Sequence, residues 1–170
     1  MPFVGSPILM ETILEWRRDT ALDQDCPLLS ESSALVDTHA MNMTDTELAD
    51  LYRDYIACLN RRDWPSLAQF VAHEVMHNGK PLGLAGYRAM LEKDVEDIPD
   101  LKFNVEMITC DPPNVAARLA FDCTPVGEFQ GLAVNGKQVQ FTETVFYEFA
   151  DRRIATVWST IDKAAIEAQL

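Results

Sequence analysis

Hydrophobic and polar positions alternate most regularly near the end of the chain, with a period of two. Successive side chains of a strand point to opposite faces. Gln138 to Phe149 therefore presents Val139, Phe141, Glu143, Val145, Tyr147 and Phe149 together. Ala150-Asp151-Arg152-Arg153 reads as a turn, and Ile154 to Asp162 as the returning strand, with Trp158 and Asp162 sharing a face at spacing four. Upstream, Leu101, Phe103, Val105 and Met107 alternate with polar neighbours, Asp111-Pro112-Pro113-Asn114 turns the chain, and Val115, Ala117, Leu119, Phe121 and Cys123 alternate in turn.

Before Leu101 the period lengthens to that of a helix. Thr44-Asp45-Thr46-Glu47 is a capping box, in which hydroxyl and carboxylate satisfy exposed amides at a helix start. Leu48, Leu51, Tyr52, Tyr55, Ile56 and Leu59 continue at helical spacing to about Arg61. Asp63 before Trp64-Pro65 predicts a second, short helix to about Val71, since proline suits a first turn. A third helix is predicted from about Leu84 to Val95, stopped by Ile98-Pro99. Helices followed by antiparallel strands predict an α+β fold with helices on one face of a sheet.

Residues 1–43 differ from the rest, with two arginines against seven acids. Pro7 to Ala21 carries a broken helical stripe of Leu9, Ile13 and Trp16, and Ser30 to Ala40 reads as linker. The expectation is an N-terminal arm, partly helical or disordered, with Ile13 and Trp16 as anchors if it packs on a partner subunit. Residues 44–170 form the folded domain.

At 170 residues the chain is long enough for one domain with a sizeable core. The net charge of −13 argues against non-specific nucleic-acid binding, which needs a basic face. Cys26, Cys58, Cys110 and Cys123 lie far apart with no C-x-x-C pair, a pattern that fits reduced thiols in a cytosol better than a zinc ribbon or disulfide framework. The apolar run Phe3 to Met10 has no basic residue before it and Glu11 directly after, unlike a signal peptide. No stretch is long enough to span a bilayer. The expected location is cytoplasmic, away from membranes.

Two stretches carry candidate chemistry. His73-Glu74-Val75-Met76-His77 matches H-E-x-x-H, which on a helix sets two imidazoles one turn apart around zinc. A zinc metallopeptidase is thus one reading. Against it, the segment runs into Asn78-Gly79-Lys80-Pro81, and the remaining histidine is His39 in the linker. Without metal, His77 and Asn78 read as the lip of a pocket. Glu143 is the second signal, because a carboxylate amid an apolar face must be paired or protonated. Facing an apolar cavity, its pKa should rise, which suits proton transfer near neutral pH. Asp162 is either a second carboxyl of that cavity or the cap of a terminal helix from Lys163 to Leu170. There is no Gly-x-Ser-x-Gly elbow, and Gly83-x-x-Gly86 lacks the Lys and Thr of a phosphate loop.

The His77-Asn78-Gly79 turn, Gly127-Glu128-Phe129-Gln130-Gly131, Asn135-Gly136-Lys137, a last strand with Trp158-x-x-x-Asp162 and the closing Gln169-Leu170 together resemble the SnoaL-like polyketide cyclases of the nuclear transport factor 2-like superfamily. The resemblance covers about Thr44 to Leu170. It implies a cone-shaped, curved antiparallel sheet wrapped by three N-terminal helices around one deep pocket. It also implies cofactor-independent acid/base catalysis, with no metal, on a small apolar substrate by a homodimer. Glu143 and His77 would be catalytic, with substrate contacts from Asn78, Tyr55, Trp158, Phe141, Tyr147 and Asp162. Many relatives carry a histidine just before the Gly-x-Phe-x-Gly segment, where this chain has Pro125. The expected outcome is cyclisation or isomerisation of a secondary metabolite. Dehydration, epoxide hydrolysis and a non-catalytic ligand-binding or dimerisation module are the alternatives on the same fold.

Overall fold

The computed structural model describes residues 43–170; the arm, its predicted helix and His39 lie outside them. Helix α1 spans Asp45–Asn60 and opens on the expected capping box. Thr44 Oγ1 accepts from the Glu47 amide at 3.2 Å, while the Glu47 carboxylate accepts from the Thr44 amide at 2.9 Å. A short 3-10 helix, Trp64–Gln69, follows. Strand β1 (Val71–His77) turns tightly into β2 (Lys80–Pro81), and helix α2 spans Gly83–Asp97. Strands β3 (Asn104–Asp111) and β4 (Asn114–Cys123) form one hairpin, and the two-residue strands β5 (Glu128–Phe129) and β6 (Leu132–Ala133) a small second one. Strands β7 (Val139–Ala150) and β8 (Arg153–Ile161) form the long hairpin before helix α3 (Lys163–Glu167).

Six strands make one sheet in the order β2-β1-β8-β7-β4-β3, and β5-β6 stand apart. All pairs in the large sheet are antiparallel except β1 with β8, which is parallel. The core lies between its inner face and the helices, joining Leu48, Tyr52 and Tyr55 of α1 to Tyr87 and Leu91 of α2 and to Leu119, Val145 and Val157 of the strands.

Three local expectations are corrected. Val71–His77, expected to follow a helix or form one around H-E-x-x-H, is a strand, with Val71 and Val75 buried. Asn78 and Gly79 take φ of +47° and +75°, left-handed values that asparagine and glycine tolerate best, and they make the hairpin turn to β2. Met107 points outward, 62% exposed. Glu106 is an extra residue between the pairs Val105–Leu119 and Met107–Arg118, and such a bulge reverses the alternation beyond it, so that Ile108 and Cys110 face the core. Trp158 is outward for the same reason. Ala155 is the extra residue between Ile154–Phe149 and Thr156–Glu148, so Val157 is buried and Trp158 is 46% exposed.

The end of β7 is completed by a side chain. Strand β8 stops at Ile161, opposite Glu143, which leaves Gln140 without a neighbour on that side. The Gln169 carboxamide fills the place. Its Oε1 accepts from the Gln140 amide at 2.9 Å, and its Nε2 donates to the Gln140 carbonyl at 2.6 Å.

Candidate functional site

Beneath the inner face of β7 and β8 lies a cavity of about 340 Å³, at the small end of the range for ligand sites. The strands contribute Glu143, Val145, Tyr147, Val157 and Ser159; α1 contributes Tyr55 and Leu59; α2 contributes Tyr87, Met90, Leu91 and Asp94. His77 and Asn78 stand where β1 meets its turn. Among the described residues no lysine or arginine lines it. A smaller adjoining cavity of about 70 Å³ shares Asp94, Phe103, Gln130, Glu143 and Ile161 with the first.

Glu143 occupies the inward register of β7 between Phe141 and Val145, both buried. Burial pushes its carboxyl above the usual range; the Ser159 hydroxyl works in the opposite sense, and the charge of Asp94 adds to the rise. The His77 ring is held below its ordinary pKa by burial, so near neutral pH it is an uncharged imidazole. Its Nε2 lies 3.4 Å from Ser159 Oγ. Tyr55 and Tyr87 place their hydroxyls 2.8 Å apart in the wall. One donates to the other, which leaves the acceptor's proton free for a ligand oxygen. Burial keeps both tyrosines protonated, well above their ordinary pKa.

The structure brings together Glu143, His77, Asn78, Tyr55 and Tyr147, and it separates the other three expected contacts. Trp158 is on the outer face, beside Phe146. Phe141 stacks on Phe121 at 5.0 Å and lines the neighbouring cavities. Asp162 caps α3, accepting from the Ala165 amide at 3.0 Å. Asn78 is largely occupied as a clamp: its Oδ1 accepts from the Ser159 amide at 2.9 Å and its Nδ2 donates to the Ser159 carbonyl at 3.3 Å.

The zinc reading does not survive the backbone. Residues four apart on a strand are roughly 13 Å apart, so His73 and His77 cannot bind one ion, and His73 and Glu74 are exposed. Among the described residues no group of three or more His, Cys, Asp or Glu is placed to hold a metal.

Three lining residues, Asp94, Tyr87 and Ser159, were not singled out from the sequence. The first two carried a signal: Tyr87, Leu91, Asp94 and Ile98 follow helical spacing, so a carboxylate sits within an apolar stripe of α2. Ser159 carried none, because its facing depends on the bulge at Ala155.

Comparison with known proteins agrees with this geometry. The chain matches the family described as SnoaL-like polyketide cyclase over residues 49–170. A SnoaL-like polyketide cyclase structure from Agrobacterium tumefaciens is 52% identical, covering 72% of this chain and 96% of its own, with a TM-score of 0.71. AclR, a proposed hydroxylase of Streptomyces galilaeus, shares the fold at 22% identity and TM-score 0.62, over 74% of this chain and 96% of its own. IdmH, a proposed polyketide cyclase of Streptomyces antibioticus, does so at 21% and 0.64, over 72% and 97%. No curated protein matches. The helix-backed curved sheet, its single inward carboxylate on the longest strand and the match across residues 49–170 converge on one assignment: the chain belongs to the SnoaL-like polyketide cyclase family.

Proposed function

We propose that the protein is a cofactor-independent cyclase or isomerase that moves a proton next to a carbonyl of a small, mostly apolar secondary metabolite. Glu143 abstracts and returns the proton. The oxygen that gains charge is met by donors from the Tyr55–Tyr87 pair and by His77. Tyr147 and the aliphatic wall hold the ring of the substrate, and Asn78 fixes the lip of the pocket through Ser159.

The observation that carries this reading is the place of Glu143, on a rigid central strand and inside the cavity, with its charge disfavoured by burial. A carboxyl in that setting has a pKa closer to working pH, where general acid/base catalysis is most effective. The active form is proposed to be a homodimer joined through the outer sheet face, supported by Phe146 and Trp158, which are paired there and 53% and 46% exposed. A cytoplasmic location is supported by unpaired Cys58, Cys110 and Cys123. No helix among the described residues is long and apolar enough to cross a membrane.

The test uses 2-tetralone, a two-ring ketone with acidic hydrogens beside its carbonyl, in deuterated water. The wild-type protein should wash deuterium into those positions faster than buffer does. Glu143→Gln should lower that rate by about 100-fold or more while leaving the affinity for the ketone within about threefold. A variant that exchanges as fast as wild type would sink the mechanism, and binding without any exchange would favour a carrier.

A further inference from the structure

Resting on that reading, we propose that Asp94 of α2 is a second catalytic residue of the cavity, the acid that works opposite Glu143. Both carboxyls line the main cavity, and both line the smaller one beside it. They approach from different elements, Asp94 from the helix layer and Glu143 from the sheet. A ligand between the layers is therefore in reach of one carboxyl from each side.

Among the described residues Asp94 has no ion-pair or side-chain hydrogen-bond partner to account for its position. The cations of α2 are committed elsewhere: Arg88 pairs with Glu92 at 2.8 Å, and Lys93 pairs with Asp97. Among the described residues Asp94 forms no ion pair of its own, although it sits on the same stripe as buried Tyr87, Leu91 and Ile98. A carboxylate on such a stripe costs stability unless it is neutralised. Burial and the nearby charge of Asp97 push its carboxyl up to about 6, with Lys93 opposing. Its charge in turn disfavours ionisation of Glu143. Two such groups titrate as a pair, losing the first proton more easily than the second.

The other groups facing the pair leave the acid's place open. His77 of β1 is held neutral, and Tyr55, Tyr87 and Tyr147 are held far above their ordinary pKa values. None of them is as acidic near neutral pH as a carboxylic acid. The step balances without any added reagent. Glu143 carboxylate takes the proton beside the carbonyl, and the C–H pair becomes the C=C bond of an enol. The C=O π pair moves to oxygen, which takes the proton of Asp94. Glu143 ends protonated and Asp94 ionised, so the cavity carries one negative charge before and after. Return of the proton at a different carbon reverses both transfers and completes an isomerisation.

Carbon-13 carboxyl titration and deuterium exchange into 2-tetralone test this on the full-length protein. In wild type the Asp94 signal should titrate well above an ordinary aspartate, and the Glu143 midpoint should fall in Asp94→Asn as the like charge is removed. Asp94→Asn should lower exchange by about 100-fold and abolish the fall of rate at high pH that marks loss of an essential acid. Asp94→Glu, folded by circular dichroism, should restore part of the rate with that limb intact. If Glu143→Gln is inactive but Asp94→Asn exchanges at the wild-type rate, the role of Asp94 fails and that of Glu143 stands. An ordinary Asp94 titration, with the Glu143 midpoint unmoved by Asp94→Asn, overturns the pair whatever the exchange rates.

Discussion

Asp94 and Glu143 each hold a carboxyl where the fold disfavours its charge, and that has a thermodynamic signature separate from catalysis. When the folded pKa lies above the unfolded one, the native state binds more protons between the two values, so stability falls as pH rises through that window. For Asp94 the window runs from the ordinary 3.8 to about 6. At pH 7 this amounts to a loss on the order of 3 kcal/mol relative to pH 3. Asp94→Asn should therefore raise the midpoint of thermal unfolding at pH 7 by several degrees, and the gain should vanish near pH 3. Glu143→Gln should act in the same direction, because its pKa is also raised. Scanning calorimetry at the two pH values checks both. A destabilised Asp94→Asn at pH 7 would mean the carboxylate is structural. The two acids differ in how plainly the sequence announced them. Glu143 breaks a period of two that runs unbroken along twelve residues of β7. Asp94 breaks a period of 3.6 on a helix whose other polar residues crowd around it, and the apolar stripe there is only four residues long.

Two elements are held in place by side-chain amides standing in for backbone. The first is the β1–β2 turn, pinned to β8 by Asn78 through both faces of Ser159 and by the Asn78 amide donating to the Val157 carbonyl at 2.8 Å. Asn78→Ala removes the side-chain bonds and puts a residue with little left-handed tolerance at φ +47°. It should cost about 2 kcal/mol in urea unfolding and loosen His77, whereas Asn78→Gly, free of the strain, should cost less. The second is α3, held by Gln169 against Gln140 and by a further bond to the Ala165 carbonyl at 2.6 Å. Gln169→Ala should cost about 2 kcal/mol with little change in ketone affinity. Equal stability of wild type and variant would show the clamp to be incidental. Where elements begin and end was mostly readable, as the capping box and the Asp111–Asn114 turn show. Bulges were not. Glu106 and Ala155 each add one residue that no local composition marks, and each turned the rest of its strand over, which moved Met107 and Trp158 out and Ser159 in. The β1 segment was obscured by its own chemistry: H-E-x-x-H has helical spacing on paper, while Val71, Met76 and His77 pair with β8 eighty or more residues later.

At the scale of the whole molecule, the fold class was legible because most of the helical period precedes most of the strand period, with β1 and β2 the exception that the sequence hid. The outer face supplies a test of assembly. Trp158→Asp should convert a dimer to a monomer in sedimentation velocity while leaving deuterium exchange within about twofold, since like charges placed across an interface are disfavoured. An unchanged sedimentation coefficient would remove Trp158 from the contact. The lack of lysine and arginine among the described residues that line the cavity reaches further than its shape. With Asp94 and Glu143 inside and acids outnumbering lysines and arginines across residues 44–170, the field at the entrance repels anions before any contact is made. A keto acid should thus bind about tenfold more weakly than its methyl ester, a gap of roughly 1.4 kcal/mol. An acid masked as an ester should therefore enter more readily, and a step that unmasked a carboxylate would hasten the product's departure.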